Sequence, residues 1–322
     1  IAAATGLVGG ADAGVIEGDQ LERADSSNRF LDTAVFARVT PEQKLRLIEA
    51  FQARGEVVAM LGDGVNDAPA LRRADIGVAM GQRGSQVARE AADMVLLDDR
   101  FATIVEAIAQ GRVIFSNIRK FVVYLMSCNL SELLVVGLAA LSGAPLPLLP
   151  LHILYLNLVT DVFPAFALGV GEGESDVLER PPRPPGEPLL SKRQWYDIGI
   201  GAVIIAAATL TAFALALLVL GLDPEHAVTV SFLTLAFSQV WHVFNMRDRG
   251  SRLVSNDVTR NGFVWGAVML CAVLVLIPVY FAPLSNILSL VPVTAGELAL
   301  VAGCSLVPLI VGQLRRSLSA RR

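Results

Sequence analysis

Six long apolar runs in the second part of the chain constrain its fold more than any other feature. They lie near residues 121–141, 147–170, 198–221, 227–246, 262–282 and 298–314. Each run has about 17–25 residues, the length at which an α-helix crosses the hydrocarbon core of a bilayer. We therefore predict an all-α membrane domain of six transmembrane helices over residues 121–322, with the lipid bilayer as its partner.

The charged residues predict the orientation of these helices. Residues 1–120 contain 31 charged side chains, whereas the longer segment 121–322 contains 25. Basic residues follow the second, fourth and sixth runs, and none lies in the segments 142–146, 222–226 and 283–297. The positive-inside rule then places residues 1–120 and the C-terminus in the cytoplasm. Because only three of the 26 basic residues are lysine, as in GC-rich bacterial genomes, we expect a bacterial plasma membrane.

Net charge and cysteine usage exclude several classes of protein. The net charge of −4 gives no basic surface for nucleic acid. The three cysteines, Cys128, Cys271 and Cys304, lie inside apolar runs without ligand-like spacing, so we expect neither disulfides nor a zinc site. The chain begins at Ile1 without a charged segment before an apolar run. We therefore expect no signal peptide, and a chain that is part of a longer protein.

The polar front of the chain alternates short apolar runs with segments suited to helices. The runs are 56–61, 76–80 and 94–97, and a helical segment over 85–92 separates the last two. This alternation predicts a parallel α/β sheet over residues 1–100. Ligands of such sheets gather beyond the carboxyl ends of the strands.

Asp63 follows the first of these apolar runs and is the first candidate site residue. Asn66 and Asp67 lie on the next turn, and Lys44 lies upstream in a predicted helix. Carboxylate and amide oxygens suit Mg²⁺, and a lysine supplies a point charge for a phosphoryl group. The same residues also occur in ordinary turns and on solvated helices, so their spacing alone leaves both interpretations open.

Longer motifs favour the phosphate-handling interpretation. The run MLGDGVNDAPAL at 60–71, with FARVTP at 36–41 and ADIGVAMG at 74–81, closely resembles the phosphorylation domain of P-type ATPases, which has a haloacid-dehalogenase-like fold. NLVTD at 157–161 and RPPR at 180–183 further resemble the calcium-pump branch of that family.

The resemblance implies roles for the candidate residues and for parts that this sequence lacks. It implies that Asp63 binds Mg²⁺, that Asn66 and Asp67 organise the phosphoryl site, and that Lys44 contacts the phosphoryl oxygens. The family's phosphorylated aspartate, in the motif DKTGT, and its TGE loop are absent from the 322 residues. We therefore expect a missing N-terminal portion of the same pump to bind most of the ATP, and residues 1–322 alone to hydrolyse none.

Two carboxylates lie deep inside the apolar runs and predict a cation site. Glu132 shares a helix face with Asn129, and Asp161 shares one with Asn157, next to Thr160. A carboxylate in mid-membrane costs about 2.5 kcal/mol or more on insertion scales, which favours a functional role. Pro164 removes the amide that would bond the Thr160 carbonyl, so it loosens the helix at this point.

The resemblance extends to these membrane residues. Asn129, Glu132, Asn157, Thr160 and Asp161 match positions that coordinate Ca²⁺ in calcium pumps. Gln239 stands where such pumps can carry a glutamate, which leaves its role as a ligand open. For His242 and Asn245, on nearby turns, we favour hydrogen bonding between helices.

The sequence therefore predicts a partial haloacid-dehalogenase-like domain over 1–100, a stalk helix over 101–120 and the membrane domain over 121–322. The predicted function is the C-terminal part of an ATP-driven pump for a metal cation, Ca²⁺ above others. A Mn²⁺ or Na⁺ pump of the same family and a non-catalytic truncated membrane subunit stay as alternatives. A soluble phosphatase is excluded, because such an enzyme would have no membrane spans and would contain its nucleophilic aspartate.

Overall fold

The structure is a computed structural model that describes residues 15–23, 32–173, 177–184, 186–248, 251–252 and 255–319. It divides into two compact units. The first comprises Ile1–Ile108 with Pro182–Glu187, and the second comprises Ala109–Pro181 with Pro188–Arg322.

The first unit contains short parallel strands separated by helices, which confirms the predicted fold class. A two-stranded sheet pairs β1 with β2, and a three-stranded sheet has the order β3-β4-β5. The strands are β1 Val15–Glu17, β2 Val35–Ala37, β3 Ala59–Gly62, β4 Ile76–Met80 and β5 Met94–Leu96. The helices are α1 Gly18–Arg23, α2 Pro41–Ala53, α3 Ala68–Arg73 and α4 Gln86–Ala91.

Capping residues determine where α2 begins and ends. The Thr40 hydroxyl accepts a hydrogen bond from the Gln43 amide, and Gln43 Oε1 accepts one from the Thr40 amide. This reciprocal pair satisfies two of the amides that a helix start leaves open, and Pro41 occupies the first turn, where no amide is needed. Gly55, with φ of +84°, follows the end of the helix.

The second unit is a bundle of long apolar helices. Six helices are long and apolar enough to cross a membrane, which confirms the predicted number. They are α5 Phe101–Ser142, the pair α6 Pro150–Leu156 and α7 Val162–Gly169, α8 Lys192–Leu218, α9 Pro224–His242, α11 Gly262–Tyr280 and α13 Ala295–Ser319. Two short helices, α10 Asp257–Arg260 and α12 Ala282–Leu288, lie in the connectors.

The helical segments show where the chain departs from regular geometry. Residues 101–120 belong to α5, which runs on without a break to Ser142. A π-helical turn, Asn157–Asp161, joins α6 to α7, and a 3₁₀ turn, Val243–Met246, extends α9. The helix α9 is central to the bundle, because 83% of the residues in its most apolar stretch are buried.

Candidate functional site

Asp63 is the first residue after β3, at the edge of the sheet where ligands gather. Its side chain is exposed, and its carbonyl oxygen accepts a hydrogen bond of 2.8 Å from the Ser85 amide, just before α4. The backbone of Asp63 is therefore held between two elements while its carboxylate faces outward.

Asp67 is held in a different way. Its Oδ1 accepts a hydrogen bond of 2.7 Å from Lys44 Nζ, and its Oδ2 accepts one of 3.2 Å from the Gly64 amide. Burial raises the pKa of this carboxyl, but the hydrogen bonds from Lys44 and Gly64 outweigh it and lower the pKa below its ordinary value. A Cβ at position 62 would lie 2.6 Å from the Asp67 Cβ, so this close approach requires Gly62.

The donor set after β3 fits Mg²⁺. Both Asp67 oxygens have protein donors, whereas the exposed Asp63 and Asn66 side chains offer oxygens to an ion. No group of three or more His, Cys, Asp or Glu side chains suited to a metal lies within the described part of the chain. Mg²⁺ usually takes one or two carboxylates, substrate phosphates and several waters. A site with only one free carboxylate and one amide oxygen is therefore in keeping with this ion.

A second polar cluster lies inside the helical bundle, around the π-helical turn. The turn Asn157–Asp161 precedes Pro164, which cannot donate to the carbonyl of Thr160. The Tyr124 hydroxyl of α5 donates to that carbonyl instead, at 2.8 Å. Single π turns inside α-helices are frequent at functional sites.

Hydrogen bonds bring three spans together in this cluster. Asn129 Nδ2 donates to Asp161 Oδ2 at 3.2 Å, and Gln239 Nε2 donates to Glu132 Oε1 at 2.9 Å. Thr160 Oγ1 lies 2.9 Å from Gln239 Oε1. The structure therefore places α5, α9 and the π turn around one set of oxygens, and it includes Gln239 in that set.

Two oxygens in the cluster have no hydrogen-bond partner. Asn157 Oδ1 and Asp161 Oδ1 are both buried without a donor. Buried oxygens of this kind are rare, and binding of an ion is one role that an oxygen without a protein donor can serve. Neither Glu132 nor Asp161 forms a salt bridge with a described residue; their donors are amides. The cluster therefore has two carboxyl groups without a basic partner among the described residues, together with open oxygen ligands, which is the chemistry of a site for a hard cation.

Two of the contacts were not predicted from the sequence. Tyr124 bonds the Thr160 carbonyl, and the Cys271 thiol of α11 lies 3.1 Å from the Val159 carbonyl. A tyrosine inside an apolar span is a signal, because its hydroxyl needs a partner there. A lone cysteine carries no such signal.

Asn245 bonds another helix, as the sequence had suggested. Its Nδ2 donates to the Pro308 carbonyl of α13 at 3.0 Å and lies 3.2 Å from His242 Nδ1. This residue therefore links α13 to the end of α9.

The comparisons with known proteins agree with the fold. Residues 145–318 match the family model for the C-terminus of cation-transporting ATPases. Residues 5–75 and 44–108 match models for haloacid dehalogenase-like hydrolases. The chain belongs to the cation-transporting ATPase family, and it is a multi-pass membrane protein.

Individual relatives are calcium-transporting ATPases. One from Bacillus subtilis (strain 168) is 44% identical over 301 residues, which is 92% of this chain and 33% of the relative. A second, calcium-transporting ATPase 1 from Bacillus cereus, is 39% identical over 311 residues, 92% of this chain and 35% of the relative. A third, from Yarrowia lipolytica, is 46% identical over 204 residues, 62% of this chain and 22% of the relative. The chain thus spans about a third of the length of the first two relatives.

Proposed function

We propose that this chain is the C-terminal part of an ATP-driven pump that moves Ca²⁺ across a membrane through an aspartyl-phosphate intermediate. The observation that carries the proposal is the buried cluster of Glu132, Asp161 and Asn157, in which two oxygens have no donor. The names of the relatives support Ca²⁺ as the transported ion.

In this proposal the membrane cluster binds the ion directly. Asp161 and Asn157 supply the oxygens that lack partners, and Thr160 and Asn129 complete the set of oxygens around them. Glu132 either shares the same ion or exchanges protons. Gln239 holds the Glu132 carboxylate and the Thr160 hydroxyl in place from α9.

The carboxylates after β3 serve the phosphoryl chemistry. Asp63 and Asn66 would hold Mg²⁺, which neutralises charge on the phosphoryl group of ATP. Asp67 fixes Lys44 by their hydrogen bond, so that the ammonium group stays beside the phosphoryl position. We further propose that residues 1–120 and the C-terminus face the cytoplasm of a bacterium, as the basic connectors indicate.

Transport by the full-length protein in sealed vesicles tests this function. We expect ATP-dependent uptake of radioactive calcium that requires Mg²⁺ and is lost in Asp161→Asn. Glu225→Gln, in the first turn of α9 and outside the cluster, is the matched control and should transport as the wild type does. ATP-dependent uptake of Mn²⁺ or Na⁺, but not of Ca²⁺, would identify another transported ion. Calcium binding by the wild type with no ATP-driven uptake would leave only a cation-binding subunit.

A further inference from the structure

A strongly basic cavity of about 380 Å³ lies at one end of the transmembrane bundle, away from the proposed ion cluster. This volume falls in the range of about 300–1,000 Å³ that is usual for ligand sites. The cavity is bounded by α5, the start of α8, the segment after α9 and the end of α13. Its lining contains six basic side chains, which are Arg119, Lys120, Arg180, Arg193, Arg247 and Arg316.

Two of these guanidinium groups are bonded only to neutral oxygens in the described part of the chain. Arg247 is 2% exposed, and it donates to Gln313 Oε1 at 2.8 Å and to the carbonyl and hydroxyl of Ser251. Arg316 donates to the carbonyl of Arg247 at 2.7 Å. Asp197 and Asp248 line the same cavity, but neither guanidinium forms a salt bridge with a described residue. A buried charge that lacks a directly bonded opposite charge is costly, so this arrangement favours an anion beside them.

The described residues around the cavity carry more positive than negative charge. Lys120 Nζ is shared at 2.6 Å by Asp248 and Asp257, and Asp197 forms a salt bridge with Arg315. When Arg315 and Asp257 are counted with the lining residues, seven cations face three carboxylates. The formal charge of these described side chains is therefore +4.

We propose that this cavity binds the phosphate group of an anionic ligand, with the headgroup of an acidic phospholipid or a free phosphate as its source. The planar fork of arginine matches phosphate oxygens in pairs, so several converging arginines favour phosphate over a simple halide. Basic pockets between transmembrane helices on the basic side of a membrane protein are suited to acidic headgroups. Residues of the basic connectors line the cavity, so it lies on the basic side of the spans.

Binding to the purified full-length protein in neutral detergent tests the proposal. The probes are phosphatidylglycerol, phosphatidylcholine and inorganic phosphate, each titrated and followed by native mass spectrometry or calorimetry. Arg247→Gln removes the buried charge, and Arg193→Gln removes an exposed one at the start of α8. Arg260→Gln, in α10 and outside the cavity lining, is the matched control.

We expect phosphatidylglycerol to bind more tightly than phosphatidylcholine, and each cavity variant to weaken that binding roughly tenfold, the loss of one charge-assisted hydrogen bond. Arg260→Gln should bind as the wild type does. Inorganic phosphate binding that responds to the same variants, without a preference for phosphatidylglycerol, would assign the site to free phosphate. If Arg247→Gln does not fold, Arg193→Gln decides alone. Wild-type affinity for phosphatidylglycerol and phosphate in folded Arg193→Gln, or no binding of either by the wild type, would overturn the proposal.

Discussion

Asp63 and Asp67 are four residues apart in one loop, yet their surroundings give them different properties. The Asp63 side chain is exposed at the end of β3, whereas both Asp67 oxygens accept hydrogen bonds from the protein. A carboxylate without protein donors is available to an ion, and a bonded one is suited to holding its neighbours. The two residues should therefore respond differently to substitution.

Asp63→Asn should remove most phosphoenzyme formation in the full-length pump and leave calcium binding nearly intact. The reason is that this carboxylate would hold Mg²⁺ after β3, in a unit that does not contain the membrane cluster. Phosphorylation by labelled ATP and equilibrium calcium binding measure the two effects. Glu56→Gln, an exposed carboxylate before β3, serves as the control. Equal loss of both properties in folded protein would instead give Asp63 a structural role.

Lys44→Met should lower the free energy of unfolding at neutral pH. It should also make that free energy depend less on pH in the acid range. The pKa of Asp67 lies below its ordinary value in the folded state. The stabilisation is therefore present above the unfolded pKa and is lost as the pH falls through the folded pKa. Because the Lys44 side chain is 34% exposed, we expect a cost of only about 0.5–1 kcal/mol. Thermal unfolding across the acid range measures it, and a gap between variant and wild type that does not close in acid would contradict this assignment.

Asp161→Asn and Gln239→Ala should distinguish a residue that binds the ion from a residue that positions its ligands. Asp161 carries a buried oxygen without a donor, whereas both polar atoms of the Gln239 side chain already contact Glu132 and Thr160. We expect Asp161→Asn to abolish high-affinity calcium binding. Gln239→Ala should weaken it by no more than about tenfold, equivalent to about 1.4 kcal/mol. Equilibrium binding of radioactive calcium measures both, and wild-type affinity in Asp161→Asn would refute the ligand role.

At the scale of elements, the π-helical turn shows how far sequence reasoning reaches. Pro164 predicts that the Thr160 carbonyl loses its helical hydrogen-bond donor. The helical pattern indicates no other residue that would donate to this carbonyl. The actual partner, Tyr124, is 36 residues away in the chain. Pattern rules describe neighbours at three or four residues, so they identify the gap but not the distant group that fills it.

Some short elements were predicted from the sequence and others were not. The run 76–80 coincides with β4, and Ser85 caps α4 by accepting from the Ala88 amide. The three-residue strands β1 and β2 and the seven-residue helix α12 were not predicted. The three-residue β5 and the six-residue α4 are as short and were predicted, so length alone does not decide; pairing and packing within the fold determine the elements that the pattern misses.

Tyr124→Phe tests whether the bond to Thr160 supports the ion site. The variant leaves a buried carbonyl without a donor, which costs about 1–3 kcal/mol, and it frees the π turn next to Asp161. Tyr155→Phe is a matched control, because its hydroxyl donates at 2.6 Å to the Leu274 carbonyl of α11, which is not a residue of the cluster. We expect both variants to lower the unfolding temperature, and only Tyr124→Phe to weaken calcium binding. Equal calcium affinities would show that the bond serves stability alone.

At the scale of the whole molecule, charge balance limits how many ions each cycle can carry. The described spans contribute two carboxylates to the cluster, Glu132 and Asp161, and the neutral Gln239 is bonded to one of them. The family resemblance implies a third carboxylate from an upstream span. Three negative charges do not neutralise two divalent ions, and excess buried charge is costly.

We therefore expect one tightly bound Ca²⁺ for each active site. Equilibrium binding of radioactive calcium to the full-length pump, normalised to the number of phosphorylation sites, measures the ratio. Glu132→Gln should keep one ion if this residue exchanges protons, and should weaken its binding if it shares the ion. Two tight ions in the wild type would refute the charge argument.

The π-helical turn also changes the outer surface of its span. The exposed apolar side chains of this span include Leu154, Leu158, Phe166 and Val170, which are separated by four, eight and four residues. A π turn closes with one residue more than an α turn, so the residues after Asp161 are offset by one position from the helical pattern before Asn157. A helical wheel drawn through the whole span would therefore assign the wrong side chains to lipid after Asp161. The same turn carries, on its inner side, the two side-chain oxygens that lack donors, so the offset of the outer surface and the open oxygens occur at one place in the chain.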